Sequence, residues 1–228
     1  MNKKTFYIED RENWSKEYGS LLDNLPAITT FFGYVKKHQA IDKDGLRVLD
    51  YGCAYGYYLK IIKAINPKAL VYGVDISKDA VRKAQENINE SLPRVFWLAS
   101  EEPLPLSDNN FDTIFSLDVI EHVKKEEAEK ILKKIAQLLK PSGLCFIATP
   151  NCSFVMKIIY ILRGRAWIFR GHDHLKVYNK KTLNSLLKKY FKVKKIDYYH
   201  HKNSFFRKLL SILGISTHLM AVLKTDKD

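Results

Sequence analysis

The sequence predicts an α/β domain built around a parallel sheet, and three observations carry that expectation. The apolar run Arg47-Val48-Leu49-Asp50 stops at an acid and enters a turn punctuated by Gly52 and Gly56. Such a run reads as a buried parallel strand feeding a tight loop. Residues 57–65 then place Tyr58, Ile61, Ile62 and Ile65 at helical spacing, and a second apolar run over 70–76 closes on another acid, Asp75. Apolar runs and amphipathic stretches go on alternating as far as Thr149, the pattern of βαβ units. At 228 residues the chain has the length of one such domain, with ample material for a core.

Taken in order, residues 7–39 read as two helices ahead of the sheet. The second, over 25–38, has Pro26 at its start, where proline is tolerated, and an apolar face of Ile28, Phe31, Phe32 and Val35. Trp14 and Tyr18 either pack on the core there or belong to a lid. Lys43-Asp44-Gly45 turns the chain into the first strand. After Asp75, Ser77 is an N-cap for a helix to residue 89, with Ala80, Val81 and Ala84 facing inward. Pro93 stops it. Residues 94–99 form a third strand and 113–117 a fourth. An amphipathic helix over 124–140 is ended by Pro141-Ser142-Gly143, and 143–149 form the fifth strand. Beyond Asn151 come an apolar stretch (154–162), a basic and aromatic one (163–170) and a helix over 182–190. A sixth strand (191–199), an amphipathic piece (204–213) and a last strand (218–224) complete the chain. There is no internal repeat and no low-complexity segment.

The first turn narrows the ligand. An acid ending the second strand of a βαβ unit can accept both hydroxyls of a ribose. The dinucleotide fingerprint needs glycines where this chain has Ala54 and Tyr57, and Tyr57 would obstruct a pyrophosphate. No Gly-Lys-Ser/Thr follows, which removes a Walker loop. A nucleoside without phosphates fits better.

At these residues the chain resembles the class I S-adenosylmethionine-dependent methyltransferases, whose first motif is an apolar strand, Asp-x-Gly-Cys-x-x-Gly and a helix. Here it stands as Leu49-Asp50-Tyr51-Gly52-Cys53-Ala54-Tyr55-Gly56, with Ala54 where the family often has glycine. The likeness continues in order through Ser100-Glu101, Leu104-Pro105-Leu106 and Phe111-Asp112 to Asn151. It implies a Rossmann-like three-layer sandwich with a seven-stranded, mostly parallel sheet whose last strand is antiparallel. It divides a single domain over 1–228 into an N-terminal helical lid (1–44), a cofactor-binding core (45–151) and a substrate cap with the last strands (152–228). It also implies S-adenosylmethionine as cofactor. Asp50 would orient the loop and meet the methionine ammonium through water, and Gly52 and Gly56 would admit the methionine part. Asp75 would take the ribose hydroxyls and Ile76 would pack on adenine. Ser100 and Glu101 would sit beside the adenine edge, and the Leu117 carbonyl would meet the ammonium.

The sulfonium already activates the methyl group, so the protein has mainly to align an acceptor and remove its proton. His122, in Asp118-Val119-Ile120-Glu121-His122-Val123 after the fourth strand, is the first candidate base, because histidine titrates near neutrality. Its structural alternative is a Glu-His pair that ties the next helix. His174, in Asp173-His174-Leu175, is the second candidate; His172, His200 and His201 read as surface residues. Ubiquinone-pathway O-methyltransferases and enzymes that methylate a terminal RNA 2′-hydroxyl share a Glu-x-x-Glu-His cluster holding a divalent ion. The matching positions are Asp118, Glu121, His122 and His174, with the shorter Asp118 at the first place. The preferred expectation is a metal-free site, with metal the alternative.

Charge is unevenly placed. Residues 1–150 hold 21 Lys+Arg and 21 Asp+Glu, whereas 151–228 hold 17 and 4, so the second part carries the whole +13. This suggests an anionic partner, or a lysine-rich solvated surface. An anionic membrane surface is favoured over RNA, because bulky aliphatics outnumber stacking aromatics over 154–169; Trp167, Phe169, Arg163, Arg165 and Arg170 would dock there. The three cysteines form no CxxC pair, which fits a reducing compartment. A charged N-terminus argues against a signal peptide, and no apolar run reaches the ~18 residues of a spanning helix. The expectation is a cytoplasmic enzyme, peripheral at a membrane surface, methylating oxygen of a small or lipid-like acceptor. RNA 2′-O-methylation and a non-catalytic cofactor-binding module are the alternatives.

Overall fold

The first strand, β1 (Arg47–Tyr51), is buried along almost its whole length because both faces of a parallel strand are covered, which is why it reads as a run rather than an alternation. The structure is a computed structural model that describes residues 31–88, 94–98, 106–165, 174–199 and 215–225. It falls into two compact units, residues 1–105 and 106–228.

In the first unit β1 is followed by α1 (Tyr57–Ile65), β2 (Leu70–Asp75), α2 (Lys78–Ile88) and β3 (Val95–Trp97). β2 pairs in parallel with both β1 and β3. α1 buries Leu59 and Ile62 and α2 buries Ala80, Val81 and Ala84, one stripe from each helix. Ser77 caps α2 as expected, its Oγ accepting from Ala80 N at 3.2 Å. Residues 31–37 are helical, with Phe31, Phe32 and Val35 buried; the ring of Phe31 meets Tyr58 edge-on at 5.0 Å. Trp14, Tyr18 and the rest of the expected N-terminal helices lie outside the described residues.

The second unit runs β4 (Phe111–Leu117), a 3-10 turn (Ile120–His122), α3 (Lys125–Leu138), β5 (Leu139–Pro150), α4 (Phe154–Leu162), α5 (Lys180–Leu187), β6 (Lys192–Tyr199) and β7 (His218–Lys224). The seven strands lie in the order β3-β2-β1-β4-β5-β7-β6, and β7 runs antiparallel to both neighbours. This is the Rossmann-like, mostly parallel sheet with an antiparallel last strand that the family resemblance implies.

Two boundaries are corrected. The helix over 124–140 ends at Leu138, and β5 starts at Leu139, before the Pro141-Ser142-Gly143 breaker rather than after it. Phe111 pairs with Leu139 and Thr113 with Leu144, so residues 140–143 bulge against the single residue Asp112. Proline is tolerated there because a bulge asks for no ladder N–H, and Lys140 Nζ pins the bulge to Asp112 Oδ1 at 2.8 Å. The helix expected over 182–190 starts earlier, at Lys180, because Asn179 caps it. Asn179 Oδ1 accepts from Thr182 N at 2.9 Å while Thr182 Oγ1 accepts from Asn179 N at 3.0 Å.

Candidate active site

In the first unit, the loop after β1 is clamped onto β2. Gly52 N and Cys53 N both donate to Val74 O, at 2.8 and 3.0 Å. Gly52 (φ 93°) and Gly56 (φ 72°) take left-handed backbone that glycine adopts without strain, and Ala54 adopts it too (φ 44°). A Cβ on Gly56 would lie 3.1 Å from Ala84 Cβ, so this glycine also admits α2. Gly73 of β2, which sequence reasoning missed, is what lets the loop lie down. A Cβ there would sit 2.8 Å from both Cys53 Sγ and Leu59 Cδ1.

Asp75 ties this turn together. Its Oδ2 accepts from Ala54 N at 2.9 Å and its Oδ1 from Ser77 N at 2.8 Å, and the side chain is buried. A carboxylate can accept from ligand hydroxyls as well as from backbone N–H groups. Ile76, next along, is an exposed large apolar residue, 37% accessible, as a residue reserved for a flat apolar ligand would be. Asp50 is buried, and its carboxyl is pushed up to about 7, first by burial and then by the Asp75 charge. The same burial, with Asp50 and Asp75 nearby, drives the Cys53 thiol well up and keeps it inert. Ser100 and Glu101 lie outside the described residues.

In the second unit, Leu117 ends β4 opposite Ala148. Asp118 follows in left-handed backbone (φ 54°), anchored by its N–H to Ala148 O at 3.0 Å. The 3-10 turn then brings Glu121 and His122 to a third residue far along the chain, His174. The two imidazoles meet edge-on with centroids 5.0 Å apart. One ligand atom from each of Glu121, His122 and His174 lies within 4.8 Å of the others. Lys176 N donates to Glu121 O at 3.0 Å, which fastens the segment carrying His174 to the turn.

Glu121 is the unusual member. Its Oε2 accepts from Thr149 Oγ1 at 3.2 Å, but its buried Oε1 has no hydrogen-bond partner among the described residues. Burial, and then the charge of Asp118, hold its carboxyl well above the ordinary carboxylate range. One carboxylate and two imidazoles with an unsatisfied oxygen suit a divalent ion, so these residues fit a metal. Asp118 stands outside that trio and faces His218 of β7, whose Nε2 is 3.6 Å from Asp118 Oδ1. Sequence reasoning missed Thr149 and His218. The pairing of β5 with β7 puts Thr149 opposite Leu219 and Pro150 opposite His218, a register that no local pattern announces. His172, His200 and His201 lie outside the described residues.

A glycine turn clamped to the acid of the second strand, on a sheet of this order, defines a nucleoside-binding α/β protein of the class I S-adenosylmethionine-dependent methyltransferase type. The chain belongs to the methyltransferase domain family, whose profile matches residues 22–190. It is similar to the ubiquinone biosynthesis O-methyltransferase of Bartonella bacilliformis, 29% identical over 176 residues that make up 69% of this chain and 68% of that protein. It is also similar to the ubiquinone biosynthesis O-methyltransferase of Chelativorans sp., 32% identical over 135 residues, 56% of this chain and 51% of that protein. The chain thus spans from about half to about two thirds of the length of these relatives. In fold it matches the magnesium protoporphyrin IX methyltransferase of Synechocystis PCC 6803 with bound SAH, with a TM-score of 0.68 at 17% identity over 98% of this chain and 100% of that one.

Proposed function

We propose that the chain transfers the methyl group of S-adenosylmethionine to an oxygen of a small or lipid-like acceptor, acting as one functional domain. The observation that carries this reading is the Asp75 clamp, in which the carboxylate closing the second strand holds the glycine turn through Ala54 N and Ser77 N. In this reading Asp75 takes the ribose hydroxyls and Ile76 packs on adenine. Gly52 and Gly56 shape the turn beside the methionine part, and Asp50 orients the loop and meets the ammonium through water. Ser100, Glu101 and the Leu117 carbonyl complete the set. Oxygen as the acceptor atom, and an apolar acceptor, follow the names of the relatives. The acceptor oxygen attacks the methyl carbon, the C–S bond breaks toward sulfur, and the oxygen's proton leaves to a base. His122 or His174 is that base. A cytoplasmic location at an anionic membrane surface is the partner reading, with RNA second.

A second reading rests on the unpartnered Glu121 oxygen. Glu121, His122 and His174 would hold a divalent ion, which would supply positive charge that lowers the pKa of the acceptor hydroxyl. In the metal-free reading, which we prefer, His122→Ala or His174→Ala lowers turnover by about 10²–10⁴-fold with cofactor affinity nearly intact, and excess EDTA changes nothing. Loss of activity in EDTA with recovery on adding a divalent ion transfers the role to the metal. Wild-type turnover in both variants removes both readings.

A further inference from the structure

α4 is tied down on one side by hydrogen bonds and buried side chains, and among the described residues its other side is exposed. At its start, Asn151 Oδ1 accepts from Ser153 N at 3.1 Å, Asn151 Nδ2 donates to Ser216 O at 2.9 Å, and Cys152 N donates to Tyr178 O at 2.7 Å. Ser153 Oγ caps the first turn through Met156 N. Met156 and Tyr160 are buried, and Tyr160 Oη donates to Thr217 O at 3.2 Å. At its end, Gly164 (φ 65°) closes the helix: Gly164 N donates to Ile161 O at 3.0 Å and Arg165 N to Tyr160 O at 2.7 Å. That is the paired pattern of a Schellman cap, and it fixes where Arg163 and Arg165 leave the helix.

The opposite face is apolar and open. Phe154, Val155, Ile158, Ile161 and Leu162 are all exposed, Phe154 at 78% and Leu162 at 80%. At about 100° per residue they fill an arc of roughly 120°, opposite Met156 and Tyr160, on a helix roughly 14 Å long. Only three other large apolar residues among those described are exposed, so the patch is concentrated here. Its surroundings carry one sign of charge. From Asn151 to His172 the sequence has Lys157, Arg163, Arg165 and Arg170 and no acid, and Arg163 and Arg165 are exposed at the helix end.

We propose that α4 docks on an anionic lipid bilayer, its Phe154–Leu162 face entering the headgroup boundary while Arg163 and Arg165 meet lipid phosphates. This rests on the lipid-like-acceptor reading above and names the surface that reading left unspecified. A short helix lying in the interface needs this combination of aliphatic face and cationic flank. The basic-aromatic segment expected to dock overlaps it only at Arg163 and Arg165; Trp167, Phe169 and Arg170 lie outside the described residues.

The test is co-sedimentation of the full chain with phosphatidylcholine vesicles, with and without phosphatidylglycerol, alongside calorimetric titration of S-adenosylmethionine. Wild type should sediment with the anionic vesicles and release with salt. The double variant Phe154→Glu/Leu162→Glu should lose about tenfold or more of that binding, and Arg163→Glu/Arg165→Glu should lose the preference for the anionic lipid. All these changes are at exposed positions, and cofactor binding should be retained in each variant. No vesicle binding by wild type, or wild-type binding by the double variant, overturns the docking surface. A wild-type dimer that Phe154→Glu/Leu162→Glu converts to a monomer overturns it too, assigning the face to a second copy of the chain. Failure of wild type to bind S-adenosylmethionine overturns the functional reading instead, independently of the vesicle result.

Discussion

Removing the Asp75 carboxylate should weaken S-adenosylmethionine binding at least about tenfold, since a hydrogen bond to a charged group is worth about 1.5–3 kcal/mol. The same carboxylate holds Ala54 N and Ser77 N, so Asp75→Ala should also loosen the turn. Calorimetric titration checks the affinity, and an unchanged value removes Asp75 from the cofactor site. Asp50 carries a pH signature. Its carboxyl is raised from 3.8 to about 7 in the folded chain, so between those values the native state holds a proton that the unfolded chain releases. Stability is therefore lost as pH rises through about 7, by at most about 4 kcal/mol for one group shifted this far. Asp50→Asn is neutral throughout and should match wild type in melting temperature near pH 4 but exceed it near pH 8. A constant difference across pH would show that Asp50 does not titrate this way. The identities of Asp50 and Asp75 were legible because each closes an apolar run. The Glu121–His122–His174 convergence rested on a family resemblance for its third member, because 51 intervening residues separate His174 from the turn and no spacing rule bridges them.

At the scale of elements, Gly73 makes the sharpest case. The first loop crosses β2 so closely that a methyl group would meet Cys53 Sγ and Leu59 Cδ1 at 2.8 Å. Gly73→Ala should cost about 1–3 kcal/mol, the usual range for overpacking, and should weaken cofactor binding by displacing the turn. Thermal denaturation with and without S-adenosylmethionine measures both effects, and a variant equal to wild type in each would deny the close approach. In sequence, Gly73 is simply a glycine inside a strand, whereas Gly52 and Gly56 announce themselves as a turn. The β5 boundary was misread for a related reason. Pro141-Ser142-Gly143 has the composition of a helix terminator, yet here it forms a bulge inside a strand already begun at Leu139. The start of α5 was set by the Asn179–Thr182 capping box, two residues before the position first expected.

For the molecule as a whole, the alternation of strands and helices from Arg47 to Asn151 was legible because apolar runs and helical spacing need only local sequence, whereas the seven-stranded sheet with its antiparallel β7 was expected only through the family resemblance. What was not legible is tertiary: the β5–β7 register that supplies Thr149 and His218, and the outward face of α4. Among the described residues no helix is long and apolar enough to cross a membrane. The most direct measurement is transfer of labelled methyl from S-adenosylmethionine into lipid, soluble-metabolite and RNA extracts presented separately, with Asp75→Ala as the control. The expected result is label on an oxygen of a lipid or small-molecule product, lost in the variant. Label confined to RNA, or none in any extract from a chain that binds the cofactor normally, would contradict it.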